Sequence, residues 1–400
     1  MKNELFFEGQ INTHIFNEIK NERDVVGYYD LPLTDITYLS RLDKFKQKHI
    51  VVVGIGGSSL GSKAVHTFLS YKKRSDRKLH FLETTDPITL KSSLKKIDLN
   101  DALFIIISKS GGTIETISIF KYILSIKKFN KNDFIFVTDM ESPLFKLGLE
   151  EEVETFYVAK NVGGRFSVLS SVGLIPLYLM GYNVKKLLKG AKKIRSEFFD
   201  EEGKIKESLL KKASFYAEYM QHYNINALFS YSELFRDFNA WYVQLWAESL
   251  GKKQIHSQLN VGLTPVGLIG PTDQHSFLQL IVEGPKDKTV TFLKIKNFND
   301  NTKVPQENLK YLEKLNIVNN VEFSELINMQ ADSIIENLKS RNVPLDIIEI
   351  EEANIYYIGQ LFYYYELLTS LTGKMLDVNT YDQPGVEEGK KILKEKLSNL

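Results

Sequence analysis

The chain has 400 residues, 51 lysines and arginines against 50 aspartates and glutamates, a formal net charge of +1 and no cysteine. That charge balance gives no electrostatic footprint for nucleic acid or a membrane surface, and the absence of cysteine excludes disulfides, thiolate nucleophiles and cysteine-ligated metal. At 43% apolar and 25% charged the composition is that of a soluble globular protein, and the length exceeds one comfortable core, so two or three domains are expected.

The opening residues, MKNELFFEGQINTHIFNEIK, place Glu4 and Glu8 around a short Leu5-Phe6-Phe7 run and contain no apolar stretch of signal-peptide length. The apolar stretches at 103–107 and 172–182 are shorter than the roughly 20 residues a bilayer span requires. Together with the lack of cysteine, these features point to the cytoplasm. Residues 1–44 are taken as an N-terminal segment. Residues 50–53 read as a buried strand, 61–69 as a helix, 79–83 as a strand, 90–96 as a helix, 102–108 as a strand, 115–126 as a helix and 134–138 as a strand. Continuous β-branched runs suit strands covered on both faces, so 45–165 is predicted to be a parallel, doubly wound α/β unit.

Residues 166–222 form a mostly helical connection. A second α/β unit, 223–352, is predicted from strands at 226–230, 290–295 and 347–350 and a helix at 241–250. Between them Gly262, Pro265, Gly267, Gly270 and Pro271 predict an irregular loop leading to a helix at Asp273. An aromatic-rich helix at 353–371 and a lysine-rich one closing 377–400 follow, and residues 353–400 are expected to pack back on the site.

Two polar turns stand at strand ends of the first unit. In VVVGIGGSSLGSK, residues 51–63, the dinucleotide fingerprint fails because Ser59 stands where its third glycine belongs. The P-loop fails because Ser62-Lys63 replaces Lys-Ser/Thr, and a lysine shifted by one helical position points about 100° away. What remains is either a general anion site of exposed backbone N–H groups and two hydroxyls at a helix N-terminus, or a tight turn without a ligand. Ser108-Lys109-Ser110-Gly111-Gly112-Thr113 repeats the grammar, and three hydroxyls at a helix N-terminus suit a phosphate monoester. In open α/β sheets ligands sit beyond the carboxyl ends of strands, where both turns fall. Glu115 reads as a helix-start residue rather than a chemical one.

Four further positions can carry chemistry. Arg165 follows Gly163-Gly164 and is either a cation aimed at an anionic ligand or a surface residue after a flexible turn. Glu248 lies on the same helical stripe as Trp241 and Leu245, with Gln244 one turn earlier; it reads either as a partly desolvated general base or as an ion-pair partner of Lys252 at i+4. His275 can be an acid/base group or a structural histidine, with no second histidine at helical spacing to suggest a metal. Lys390 begins the last helix near Gln383 and, judged by itself, is solvated.

Taken in order, residues 54–61, 108–116, 161–168, 248–252, 274–277 and 373–390 resemble the motifs of the glucose-6-phosphate isomerase (phosphoglucose isomerase) family. The resemblance implies an α/β fold of two sugar-isomerase (SIS) type doubly wound parallel-sheet domains with a C-terminal helical extension. It implies reversible isomerisation of glucose 6-phosphate and fructose 6-phosphate by ring opening and a cis-enediolate, with no metal or other cofactor. It assigns the substrate phosphate to Ser58, Ser108, Ser110 and Thr113, with Gly57, Lys109, Gly164, Gln244 and Gln383 among the substrate contacts. Glu248 would be the base between C1 and C2, Arg165 the enediolate-stabilising cation, and His275 with Lys390 the ring-opening pair. The family's homodimer would bring His275 across the subunit interface. Alternatives at this stage are a broader isomerase that accepts mannose 6-phosphate and a non-catalytic sugar-phosphate-binding protein of the same fold. Two departures stand out: glycines at 111 and 112, which suggest a more mobile phosphate loop, and Ser59 where an acidic residue is common. The chain is also short for the family.

Overall fold

Strands β1 to β12 follow in chain order as Lys2–Leu5, His49–Val53, Lys78–Leu82, Ala102–Ile107, Phe134–Thr138, Glu154–Tyr157, Ile225–Ser230, Lys252–Lys253, Asn260–Val261, Thr264–Ile269, Lys288–Asn297 and Leu345–Glu352. They belong to a computed structural model that describes residues 1–72, 75–200 and 204–400. The predicted buried strands are there for the stated reason: β4 and β5 have no exposed position, and residues 50–53 of β2 are wholly buried. The first sheet has the order β3-β2-β4-β5-β6, parallel throughout. The chain steps from β2 outward to β3 and returns on the other side to β4. The sheet therefore reverses direction between β2 and β4, the switch point at which such sheets hold ligands.

The second sheet has the order β1-β12-β11-β7-β10. Four of its strands are parallel, and β1 adds an antiparallel edge on β12. The N-terminal residues, read from the sequence as a separate segment, thus supply a strand to the far sheet. Asn3 fixes it: its amide donates to the Asp346 carboxylate at 2.7 Å, and its oxygen accepts from Tyr364 at 2.8 Å. The loop expected between residues 262 and 271 is instead β10, an edge strand. It accommodates Pro265 because an edge leaves one side of the backbone unpaired, and Gly267 because a Cβ there would lie 2.8 Å from Cβ of Asn239.

Helices Ser171–Leu179, Val184–Phe199 and Ile205–Glu218 fill the connection; residues 201–203, inside that predicted stretch, lie outside the described residues. The aromatic-rich helix runs over Ile355–Met375, and every residue from Ile358 to Gly373 is buried. It packs on Val184–Phe199, Ile205–Glu218 and the helix Arg236–Leu250. The final helix, Glu387–Ser398, departs from the expectation for residues 353–400: it buries no residue. Its sequence explains why. Ile392, Leu393 and Leu397 are the only large apolar residues among its lysines and glutamates, and all three remain exposed. No helix of the described residues is long and apolar enough to cross a membrane.

Candidate active site

The two polar turns stand side by side because β2 and β4 are neighbours, with Val53 opposite Ile106. The second turn is folded by its own hydroxyls. Ser108 Oγ lies 2.9 Å from Thr113 Oγ1 and accepts from the Thr113 backbone N–H at 3.3 Å, and Ser110 Oγ accepts from Gly112 N–H at 3.4 Å. Thr113 is the N-cap of helix Ile114–Ile126, with Glu115 in its first turn. Gly111 adopts φ +66° and its Cβ would meet Ser142 at 2.7 Å, so a glycine there is a geometric necessity of the turn; at Gly112 the space is open. Lys109 donates to the Lys160 carbonyl at 2.7 Å. Burial pulls its ammonium below the ordinary lysine range, opposed by Asp139.

At the first turn the close backbone approach is made to another loop. A Cβ on Gly57 would fall 2.4 Å from the Gly164 carbonyl carbon and oxygen, so the Gly56–Ser58 turn is pressed against the segment that carries Arg165. Ser167 Oγ donates to the Gly164 carbonyl at 2.6 Å and tightens that segment.

Arg165 is 3% exposed, which overturns the surface-arginine alternative. Its Nε donates to Ser249 Oγ at 2.7 Å, and its Nη2 donates to the carbonyls of Thr380 at 2.5 Å and Asp382 at 3.0 Å. A guanidinium has five protons, so the two on Nη1 remain; Nη1 stands 3.9 Å from Glu248 Oε2. Burial lowers the Arg165 pKa, while the negative charges of Glu248 and Asp382 oppose the shift.

Glu248 occupies the last turns of helix Arg236–Leu250, whose Trp241 and Leu245 are buried on the same stripe. Gln244 donates to Glu248 Oε2 at 3.2 Å, and its own Oε1 is buried without a partner among the described residues. The i+4 pair with Lys252 does not form. Lys252 turns to the 379–382 loop, donating to the carbonyls of Asn379 at 2.8 Å and Asp382 at 2.6 Å and to Asp382 Oδ1 at 2.9 Å. Glu248 is thereby left facing a cleft of about 970 Å³, lined also by Lys252, Gln254, Asp382, Gln383 and Val386. A carboxylate open to a cleft and backed by a buried cation can shuttle a proton while the cation meets a developing oxyanion.

His275 and Lys390 are not brought to this pair within the chain. His275 is exposed in the turn after β10, where Asp273 Oδ2 accepts from Ile269 N–H at 2.7 Å and holds the turn. Lys390 is exposed and paired with Glu387 at 2.6 Å. Sequence reasoning missed Ser249 and the carbonyls of Thr380 and Asp382, and it offered Lys252 only as an ion-pair partner of Glu248. Serine has no distinctive spacing signal, and a backbone carbonyl has none at all.

Residues 43–400 match the family model for phosphoglucose isomerase. The chain is 45% identical over 415 residues to a glucose-6-phosphate isomerase of Campylobacter jejuni, covering 100% of both. Among solved structures it resembles a hypothetical protein from Thermus thermophilus at 28% identity, with TM-score 0.87 and coverage of 96% of this chain and 94% of that one. A glucose-6-phosphate isomerase from Chlamydia trachomatis shares the fold at 22% identity and TM-score 0.75, over 96% of this chain and 74% of that one. A buried arginine facing a cleft-wall glutamate, on a fold of two sugar-phosphate-type sheets, thus coincides with a match over the whole chain: this protein belongs to the phosphoglucose isomerase family.

Proposed function

We propose that the protein is a glucose-6-phosphate isomerase, interconverting glucose 6-phosphate and fructose 6-phosphate in glycolysis and gluconeogenesis. The observation that carries the reading is the pairing of Glu248 with a guanidinium whose other donors are all engaged by Ser249, Thr380 and Asp382. In the open-chain aldose Glu248 takes the proton from C2 and returns it to C1. Arg165 meets the negative charge on the enediolate oxygen, and because it is already held in place it needs no reorganisation as that charge develops. Ser58, Ser108, Ser110 and Thr113 hold the phosphate, with Gly57, Lys109, Gly164, Gln244 and Gln383 completing the substrate contacts. The phosphate end is remote from the reacting carbons and supplies binding energy for orientation.

Ring opening falls to Lys390 and to His275 of the partner subunit in a homodimer. The exposure of both residues in the single chain fits a site completed by a second copy. The proposed glycolytic role supports a cytoplasmic location. The test couples product to glucose-6-phosphate dehydrogenase. Purified protein turns over fructose 6-phosphate, and Glu248→Gln lowers kcat by about 10²–10⁴-fold while sugar-phosphate affinity is kept. A folded dimer without activity refutes the isomerase reading; equal loss of affinity and turnover in Glu248→Gln refutes only the role of that residue.

A further inference from the structure

The two carbonyls that hold Arg165 belong to Thr380 and Asp382, and the residue between them, Tyr381, turns its side chain the opposite way, into the protein. Its hydroxyl donates to Glu22 Oε1 at 2.7 Å and lies 2.8 Å from the hydroxyl of Tyr29 and 3.1 Å from Ser370 Oγ. Tyr29 donates to the same Glu22 oxygen at 2.7 Å, so two phenol protons serve a triangle of three oxygens. The other Glu22 oxygen is paired with Lys374 at 3.1 Å. The Tyr381 ring packs 5.6 Å from that of Phe166, the residue after Arg165, and Phe166 stacks on Tyr28 at 4.8 Å. One tyrosine therefore ties both the carbonyl clamp and the arginine's own segment to an anchor made from the N-terminal residues and the buried helix Ile355–Met375.

We infer that Tyr381, fixed by Glu22, is a positioning residue for the reaction: it sets the two carbonyls that lock the Arg165 guanidinium and so aims the free Nη1 at the reacting oxygen. This rests on the role proposed above for Arg165. A carbonyl pair on an untethered loop would let the guanidinium rotate, and the cost would fall on the transition state, where the negative charge is greatest, more than on substrate binding. The hydroxyl also resists ionisation, since burial and the Glu22 carboxylate push its pKa up, and it therefore stays a donor.

The test is steady-state kinetics on the full-length enzyme, with circular dichroism to verify folding. Tyr381→Phe keeps the ring and removes the tether; kcat falls about tenfold while KM changes less than about twofold. Glu22→Leu repeats the loss, and Glu22→Gln, which keeps an acceptor oxygen, recovers most of it. In an Arg165→Lys background Tyr381→Phe costs less than about twofold, because the two residues act through one guanidinium. Wild-type kcat in Tyr381→Phe, or losses that multiply in the double variant, overturns the inference and leaves Arg165 its role. Full kcat in Arg165→Lys removes that role and this inference with it.

Discussion

At the residue scale the site depends on contacts too close for any side chain. Gly57 sits against the Gly164 carbonyl, so Gly57→Ala drives a methyl group into backbone and separates the Gly56–Ser58 turn from the segment bearing Arg165. Overpacking of this kind costs about 1–3 kcal/mol. The variant is expected to unfold at lower urea concentration and to lose kcat together with stability. Unchanged urea midpoint and turnover would show that the two loops slide apart freely. Lys252 illustrates the limits of helical spacing. Its i+4 relation to Glu248 suggested a surface ion pair, yet three oxygens of the 379–382 loop compete for its ammonium and win. The chemical types of Arg165 and Glu248, and Gln244 beside the glutamate, were legible in the sequence; the carbonyls that hold Arg165 were not, because they lie more than 200 positions away.

At the element scale the helix Ile355–Met375 carries an anomaly. Glu366 is 0% exposed, and neither carboxylate oxygen has a hydrogen-bond partner among the described residues. Burial pushes its pKa well above the ordinary 4.5. The folded state thus keeps a proton that the unfolded chain releases, so this position favours folding most below pH 4.5 and less as pH rises beyond it. Glu366→Met, similar in length and apolar, is expected to stabilise the protein by about 1–3 kcal/mol at pH 8 and by much less at pH 4. Equal gains at both pH values, read from denaturant melts, would count against a neutral buried acid. Lys212 is the contrasting case. Its ammonium is buried too, but it meets Asp346 at 2.7 Å and Thr291 at 3.0 Å, and Asp346 also accepts from Asn3. Lys212→Met strands the aspartate, and a cost of about 3–5 kcal/mol is expected in the same melts.

At the scale of the whole molecule, the first strand joins the last sheet, and the final helix buries none of its residues against the described chain. Deleting residues 1–7 uncovers the edge of β12 and removes Asn3 from Asp346; the truncated protein is expected to melt earlier and to aggregate through the bared edge, as light scattering would show. In the cleft wall Ile255 and Val386 are exposed, apolar surface that suits the proposed second copy. If His275 serves the partner's site, mixing inactive Glu248→Gln and His275→Ala subunits under exchanging conditions rebuilds one intact site per mixed dimer. Random pairing in a two-fold dimer then restores about a quarter of wild-type activity. No recovery, with subunit exchange verified by mass, would place His275 in its own subunit's site or outside the chemistry.

The sequence by itself determined the elements whose burial is continuous, since an unbroken apolar run such as 50–53 or 102–107 has no face to offer water. It also determined the two polar turns and the titratable groups, because charge and hydroxyl chemistry are properties of single residues. Only the tertiary structure decided that β1 crosses to the second sheet, that Pro265 and Gly267 sit in an edge strand, and that Lys252 leaves Glu248 for the 379–382 loop. Each of these choices turns on partners distant in the chain, and a backbone acceptor or a free sheet edge leaves no mark in the order of residues.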